Sequence, residues 1–139
     1  MATVRLQIVA AVAAALDAAL AIPVYRNLDY AISEGSLPAL AVQSVDDATS
    51  EGRLNALEQE MQLDIVVLVS GSADPEAAVD PYEAAAHAVL YGAATFGGHP
   101  VVVRRIGAAW QFDLGDSAQR SLRYGIAYAS AVADLEAAA

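Results

Sequence analysis

Two histidines, His87 and His99, are the side chains with the most versatile chemistry in this cysteine-free chain of 139 residues. An imidazole can act as a general base or as a metal ligand. A metal site needs several ligands on one face, and neither histidine has a second histidine at a spacing that would provide one. His87 lies among alanines in a predicted helix, and His99 lies in a Gly-Gly-His-Pro turn. We therefore expect two structural histidines, no bound metal and no cofactor.

The segment Val69-Ser70-Gly71-Ser72 is a candidate phosphate cradle, because it follows a predicted strand and precedes a predicted helix. It lacks both the full glycine fingerprint and the lysine of a phosphate-binding loop. The carboxylates of Asp74 and Glu76 would also repel a phosphate. The chain has no Gly-x-Ser-x-Gly motif for a serine nucleophile and no thiol. These absences predict that the protein has no catalytic residues and is not an enzyme.

Acidic residues dominate the charge, with 17 Asp and Glu against seven basic residues and a net charge of −10. Such a surface argues against binding DNA or RNA through phosphates, which requires clustered positive charge. Two carboxylate pairs, Asp46 with Asp47 and Glu58 with Glu60, are candidates for acid–base chemistry. Both pairs lie in a predicted exposed hairpin, so a solvated face is the favoured interpretation.

The first 23 residues carry one early arginine, an apolar run and Ala19-Leu20-Ala21, a pattern that resembles a secretory signal. Asp17 interrupts this run, which is also too short to span a membrane. The alternative is an amphipathic helix with Thr3 as its N-cap and apolar residues at helical spacing. We favour the helix, followed by a short edge strand over residues 22–26 that begins near Pro23.

Two longer extended stretches follow. Residues 38–45 alternate as a strand with one dominant apolar face, and residues 54–69 place polar side chains at every second position before becoming apolar on both faces. Residues 46–53 are polar and mostly acidic, which predicts a loop. The pattern predicts an antiparallel hairpin whose mobile acidic tip, residues 46–53, projects from the body of the protein.

Two Asp-Pro pairs, Asp74-Pro75 and Asp80-Pro81, each resemble a helix start with an acidic cap and proline at the first position. Because proline disrupts a helix interior, we expect a short turn and then a main helix from Pro81 to about Thr95. Gly97-Gly98 is expected to end that helix.

The remainder predicts three strands and a tail: residues 101–106, their hairpin partner 109–114, and a long strand over 120–132. Trp110 and Phe112 alternate on the second of these and are expected to anchor the core. Residues 134–139 predict a frayed helical tail. With no internal repeat and no linker, residues 1–139 predict one domain with an α+β fold. Its mainly antiparallel sheet would have two helices packed on one face and a projecting β-hairpin.

The order of these features resembles the tail-terminator (tail completion) family of long-tailed bacteriophages, the group of phage lambda minor tail protein U. The resemblance is one of order and pattern over most of the chain, without a diagnostic motif. The segments that carry it are Val4-Arg5-Leu6-Gln7-Ile8-Val9, Val24-Tyr25-Arg26, Leu37-Pro38-Ala39-Leu40-Ala41-Val42, Leu63-Asp64-Ile65-Val66-Val67-Leu68-Val69, Ala86-His87-Ala88-Val89-Leu90 and Leu122-Arg123-Tyr124-Gly125-Ile126-Ala127-Tyr128.

This resemblance implies a structural subunit that forms a hexameric ring, caps the tail tube and ends its polymerisation. The expected partners are other copies of the chain, the tail tube protein and a head completion or connector protein. DNA would pass through the channel without specific binding, and no membrane is involved. The expected location is the head-proximal end of the tail in the virion, after synthesis in the host cytoplasm.

Arginine contacts between subunits are expected to hold such a ring, because arginine pairs well with carboxylates. The candidates are Arg53, at the expected base of the hairpin, and the neighbours Arg104 and Arg105, of which one must point away from the core. Three other interpretations stay open: another head–tail neck or connector protein, a small-molecule-binding α+β dimer, and a phosphate-handling enzyme that uses the Ser70–Asp74 loop.

Overall fold

A computed structural model describes residues 2–26, 38–53, 56–70, 74–112, 117–131, 136 and 138. Within these residues the chain forms two helices, a five-stranded sheet and a small two-stranded hairpin. The elements in chain order are α1 (Val4–Ala19), β1 (Val24–Tyr25), β2 (Ala39–Arg53), β3 (Ala56–Val69), α2 (Pro75–Gly92), β4 (Thr95–Phe96), β5 (His99–Pro100), β6 (Val102–Phe112) and β7 (Ala118–Ala131).

The first helix begins where the sequence predicts it. The hydroxyl of Thr3 accepts a hydrogen bond from the backbone N–H of Leu6 at 3.2 Å, which satisfies one of the free donors at the helix start. Its apolar stripe is fully buried and consists of Val4, Ile8, Val9, Val12 and Leu16. The amphipathic-helix interpretation of this segment is therefore confirmed.

The five-stranded sheet has the order β1-β2-β3-β7-β6. The short edge strand β1 pairs parallel with β2, and the other three pairings are antiparallel. Both helices pack on one face of this sheet, which we call the inner face. The main core lies between them and includes Leu40, Val42, Met61, Leu63, Ile65, Leu122, Tyr124 and Ile126. The predicted α+β architecture and the antiparallel hairpin of β2 and β3 are confirmed.

The opposite, outer face carries alternate residues of the same strands. Near β1 it has a second small apolar cluster of Ala41, Val66 and Leu68, against which Tyr25 packs. Farther along β3 the outward positions become polar, which is the change that the sequence predicts. The outer face of β3, β7 and β6 is therefore a polar surface without helices among the described residues.

The expected loop over residues 46–53 is wrong, because β2 continues to Arg53. A shift in register between Ser44 and Asp46 marks a β-bulge, after which the ladder with β3 resumes. A ladder needs main-chain hydrogen bonds and no apolar side chains, so an acidic segment can extend the hairpin. Arg53 consequently lies at the tip end of the hairpin and not at its base, and its side chain lies outside the described residues.

The expected break before Pro81 is also wrong, since α2 runs from Pro75 to Gly92 with Pro81 inside it. Asp74 caps this helix by accepting the N–H of Ala77 at 3.2 Å. Proline removes the hydrogen bond to the carbonyl of Ala77, but both residues are exposed, so water can satisfy that carbonyl. The buried residues Val79 and Ala86, on either side of the proline, hold the helix against the core.

The helix ends at Gly92, three residues before the predicted end at Thr95, so Gly97-Gly98 does not terminate it. These glycines form the turn between β4 and β5, where φ is +60° at Gly97 and +79° at Gly98. Such angles favour glycine. At Gly97 a Cβ would also lie 3.0 Å from the carbonyl oxygen of Gln7, so the hairpin packs tightly against α1.

One strand, β6, replaces the expected hairpin of residues 101–106 and 109–114. Both halves pair with β7, and a register shift between Arg105 and Gly107 places a bulge where a turn was predicted. The predicted last strand is confirmed as β7. The predicted helical tail lies mainly outside the described residues, and Ala138 makes an antiparallel bridge with Ser130.

Candidate interaction surface

Ion pairs between arginines and carboxylates lie on the outer face of the sheet. Asp64 on β3 and Arg123 on β7 are opposite each other in the ladder. The guanidinium of Arg123 donates to both carboxylate oxygens, from Nε at 2.9 Å and from Nη2 at 3.1 Å. This two-point geometry is the strongest that arginine and a carboxylate can form. It also raises the pKa of Arg123, first through the hydrogen bonds and then through the charge of Asp64.

A second pair on this face spans three strands. Arg104 on β6 donates from Nε to Glu60 on β3 at 3.0 Å, and from Nη2 to the other oxygen. Strand β7 lies between them, with Gly125 beneath the pair, where a Cβ would lie 3.0 Å from the carboxylate of Glu60. Hydrogen bonding to Arg104 lowers the pKa of Glu60 despite the opposing effect of partial burial. Arg104 keeps a highly exposed side chain, at 63%.

A shallow depression of about 270 Å³ lies beside these pairs. It is lined by Asp64, Ile106, Gly107, Ala108, Ala109, Ser121 and Arg123. Its two charged side chains bind each other, and the remaining lining is small or apolar. The free polar groups of the depression are therefore few, the Ser121 hydroxyl and the N–H groups of Arg123 that Asp64 does not use, whereas a small-ligand site has several that converge.

Glu83 on α2 binds two arginines on the inner face of the sheet, at strands β6 and β7. Its carboxylate accepts from Arg105 on β6 at 3.0 Å and from Arg120 on β7 at 2.8 Å. Burial alone would raise the pKa of Glu83, but the hydrogen bonds from Arg120 and Arg105 outweigh it, and the pKa is lowered. The backbone N–H of Arg105 also donates to the hydroxyl of Tyr91 at 2.5 Å, so α2 is attached to β6 at two points.

Two stacked aromatic residues lie farther along β6. The rings of Trp110 and Phe112 stack with their centroids 5.4 Å apart, and the guanidinium of Arg120 lies 4.8 Å from the centroid of the Trp110 ring. Trp110 packs against the core, as expected, whereas Phe112 is 55% exposed. The expectation that Phe112 anchors the core is therefore wrong, because β6 is the outermost strand and Phe112 lies near its end.

Both histidines have partners within the chain. His87 Nδ1 lies 2.9 Å from the hydroxyl of Tyr124, and its ring stacks on Tyr91 at 4.4 Å. His99 Nε2 lies 2.8 Å from the side-chain oxygen of Gln7. Burial raises the pKa of Tyr124. Among the described residues, no group of three or more His, Asp or Glu side chains is arranged to hold a metal ion.

The polar hairpin is attached to the first helix. Arg5 on α1 donates from Nε to Asp47 on β2 at 2.9 Å. Nearby, the hydroxyl of Tyr128 donates to Gln59, whose amide donates to Ser130 at 2.7 Å. Burial raises the pKa of Tyr128. The acidic part of β2 is thus fixed to α1 by an ion pair.

The structure places the predicted arginines apart. Arg104 and Arg105 lie on opposite faces of β6, as strand alternation requires, and each has an ion-pair partner within the chain. Arg53 lies at the far hairpin tip. Glu60 and Glu83, the partners of Arg104 and Arg105, are not predicted from the sequence as part of this surface. The carboxylates at every second position of β3 are the one local pattern that indicates this surface. Asp64 is one of them, and it lies opposite Arg123 in the ladder between β3 and β7.

Comparison with known proteins identifies a similar fold but no similar sequence family. No known family model matches this sequence, and no curated protein matches it significantly. The chain shares its fold with a virion protein. The similar structure is a chain from the virion of a native gene transfer agent particle, with a TM-score of 0.67 and 17% sequence identity. The match covers 91% of this chain and 98% of the other, so it includes nearly all of both. None of the described helices is both long and apolar enough to cross a bilayer.

Proposed function

We propose that this protein is a structural component of a phage-like virion. In this proposal it acts as a tail terminator: six copies form a ring that caps the tail tube and ends its polymerisation. The ring would also provide the joint to the head connector. The single observation that carries the proposal is the full-length fold match to a chain of a gene transfer agent virion. The order of sequence features points independently to the tail-terminator family.

The distribution of charge supports a channel through which DNA moves without being bound. Five of the seven basic residues form ion pairs with carboxylates of the same chain: Arg5, Arg104, Arg105, Arg120 and Arg123. Cations that are already neutralised contribute little to phosphate binding, which depends on counterion release by unpaired Lys and Arg. With a net charge of −10, the subunit would not retain a passing genome.

A steric role also agrees with the chemistry of the site. The described histidines are hydrogen-bonded to their neighbours, and the described carboxylates at the candidate surface accept from arginines. A cap needs a complementary surface and no reacting group. We accordingly propose that the protein is not an enzyme and uses no cofactor, and that residues 1–139 act as one structural domain.

Two other roles remain as alternatives. A head–tail neck or connector protein would share the fold match, since that match is to a chain of a whole virion. A small-molecule-binding dimer is less favoured, because the depression on the outer face is open and its charges are mutually paired.

Deletion of the gene from the replicon that encodes the particle tests the proposal. A tail terminator predicts tubes of excessive, variable length that fail to join heads, as seen by negative-stain microscopy. Complementation with the intact gene is the control. Tubes of normal length without attached heads would favour the connector role, and normal particles would exclude both. A ring of six 14.3 kDa subunits should have a mass of about 86 kDa by light scattering.

A further inference from the structure

We infer that neighbouring subunits of the proposed ring join edge to edge: the outer part of β2 in one copy lies antiparallel to the beginning of β6 in the next copy. This inference rests on the proposed ring and identifies the surfaces that would form it. Its basis is the position, direction and charge of the two free edges of the sheet.

The sheet has an unpaired edge on each side within the described residues. Strand β6 is last in the order and pairs only with β7. On the other side, β1 covers β2 only at Leu40 and Ala41, so none of the described strands pairs with that edge of β2 from residue 42 to residue 53. Unpaired edges are templates for pairing with another chain.

The directions of these strands suit a ring. Three successive antiparallel pairings separate β2 from β6, so the two strands run in opposite directions within one subunit. A copy rotated about an axis along the strands keeps its strand direction, and its β2 therefore meets β6 antiparallel. Because the contact joins two different surfaces, it is heterologous, and a heterologous contact closes into a ring when the rotation permits.

Charge indicates which residues meet. Arg104 uses two of its five N–H donors for Glu60, which leaves three donors on a side chain that is 63% exposed. Asp46 is exposed on β2, and one of its oxygens accepts the N–H of Asp47, which leaves the other oxygen available. Both residues belong to the outer face of their strands. The Arg104 guanidinium now extends over β7 to Glu60, away from the free edge of β6, so it would exchange Glu60 for Asp46 of the next copy when the junction forms.

Apolar residues support the same register. Placing Asp46 opposite Arg104 brings Ala48 opposite Val102, which is 71% exposed. It also brings together the two bulges, where Val45 is 41% exposed and Ile106 is 39% exposed. An ion pair would then be flanked by apolar contacts on both sides. Two N–H groups of this edge are already bound, that of Arg105 to the hydroxyl of Tyr91 and that of Val101 to the carbonyl of Ala94 at 3.1 Å. Main-chain pairing with a neighbour is therefore limited to residues 102–104.

Disulfide trapping tests this junction, because the chain has no cysteine of its own. Opposed residues in an antiparallel pair have Cα atoms about 4.5–5.5 Å apart, a distance that a disulfide can bridge. The double variant A48C/V102C should give a ladder of covalent oligomers under mild oxidation in non-reducing electrophoresis, and reduction should collapse it. The matched control A48C/A127C moves one thiol to β7, where Ala127 is the ladder partner of Val102, and should give no ladder.

A second experiment distinguishes an effect on association between subunits from an effect on folding. Arg104→Gln should weaken association about two- to fivefold per junction, measured by sedimentation, whereas Arg123→Gln should not. Both arginines bind a β3 carboxylate on the outer face, but Arg123 lies on an interior strand. Higher salt should weaken the wild-type contact in the same direction.

Each outcome decides between the two proposals. Rings without a ladder would overturn the edge-to-edge junction and leave the proposed function intact. Dimers from V102C alone, without a ladder from the double variant, would show a twofold β6–β6 contact and also overturn it. A ladder without closed rings would retain the junction and exclude the ring. Absence of both rings and cross-links, at high concentration and with tube protein present, would overturn both.

Discussion

Glu60 and Arg104 bind each other across the full width of an intervening strand. They belong to β3 and β6, and β7 lies between them with Gly125 directly below the ion pair. A larger residue at this point of β7 would separate the two side chains. The absence of a side chain at Gly125 thus allows a contact between two strands that share no ladder.

Gly125→Ala should lower the free energy of unfolding by about 0.5–1 kcal/mol, the scale of a partly exposed ion pair. The added Cβ would lie 3.0 Å from the Glu60 carboxylate and 3.3 Å from Ile106 Cδ1, so Glu60 must move. Gly107→Ala is the matched control, since its Cβ would have no neighbour within 4 Å. Chemical denaturation measures both. An unchanged cost in a Glu60→Ala background would contradict the explanation.

Glu83→Gln should destabilise the protein by about 1–2 kcal/mol at neutral pH, because two arginines lose a charged acceptor. The folded-state pKa of Glu83 lies below its ordinary value of 4.5. Its contribution is therefore complete above that value and is lost as the pH falls through the folded-state pKa. The variant should show a weaker loss of stability on acidification. Glu58→Gln removes the same charge from an exposed position and is the control; parallel pH profiles for wild type and Glu83→Gln would exclude this role.

Pro81→Ala should stabilise the protein by about 1 kcal/mol or more. Position 81 is exposed to solvent and lies in the middle of α2. Alanine there restores the N–H that can bond the carbonyl of Ala77, and it removes the proline ring that crowds this carbonyl. Pro75→Ala, at the start of the same helix, should have little effect, since proline is well suited to that position. Thermal melting compares the two. Destabilisation by Pro81→Ala would mean that the proline acts mainly by restricting the unfolded chain.

Trp110→Ala and Phe112→Ala should differ in effect although the two rings stack. Trp110 packs on the core beneath Arg120, so its truncation should cost about 2–4 kcal/mol. Phe112 is 55% exposed, and its loss should cost less than about 1 kcal/mol. Equal costs would show that Phe112 is buried in solution, for example by a second subunit. Burial by a second subunit depends on protein concentration, so repeating the unfolding measurement on a dilute sample should then lower the cost of Phe112→Ala.

The elements that local chemistry defines were predictable. Thr3 followed by apolar residues at helical spacing identifies α1, and alternation along residues 56–69 identifies β3 with its polar and apolar faces. The candidate surface was partly predictable as well. Strand alternation required Arg104 and Arg105 to point to opposite faces, which they do. Their partners Glu60 and Glu83 lie 44 and 22 residues away in the chain, and no local pattern indicates such pairings.

The sequence by itself determined the α+β composition, the polar outer face and the acidic charge, because periodicity and charge are properties of neighbouring residues. Tertiary structure decided where elements continue. Residues 46–53 remain a strand because β3 provides hydrogen-bonding partners, and α2 passes through Pro81 because core contacts on both sides outweigh one lost bond. Ile106 forms a bulge and Gly107 continues the strand, instead of a turn, because β7 pairs with both halves of β6. In each case long-range contacts contribute more free energy than the local preference that they override.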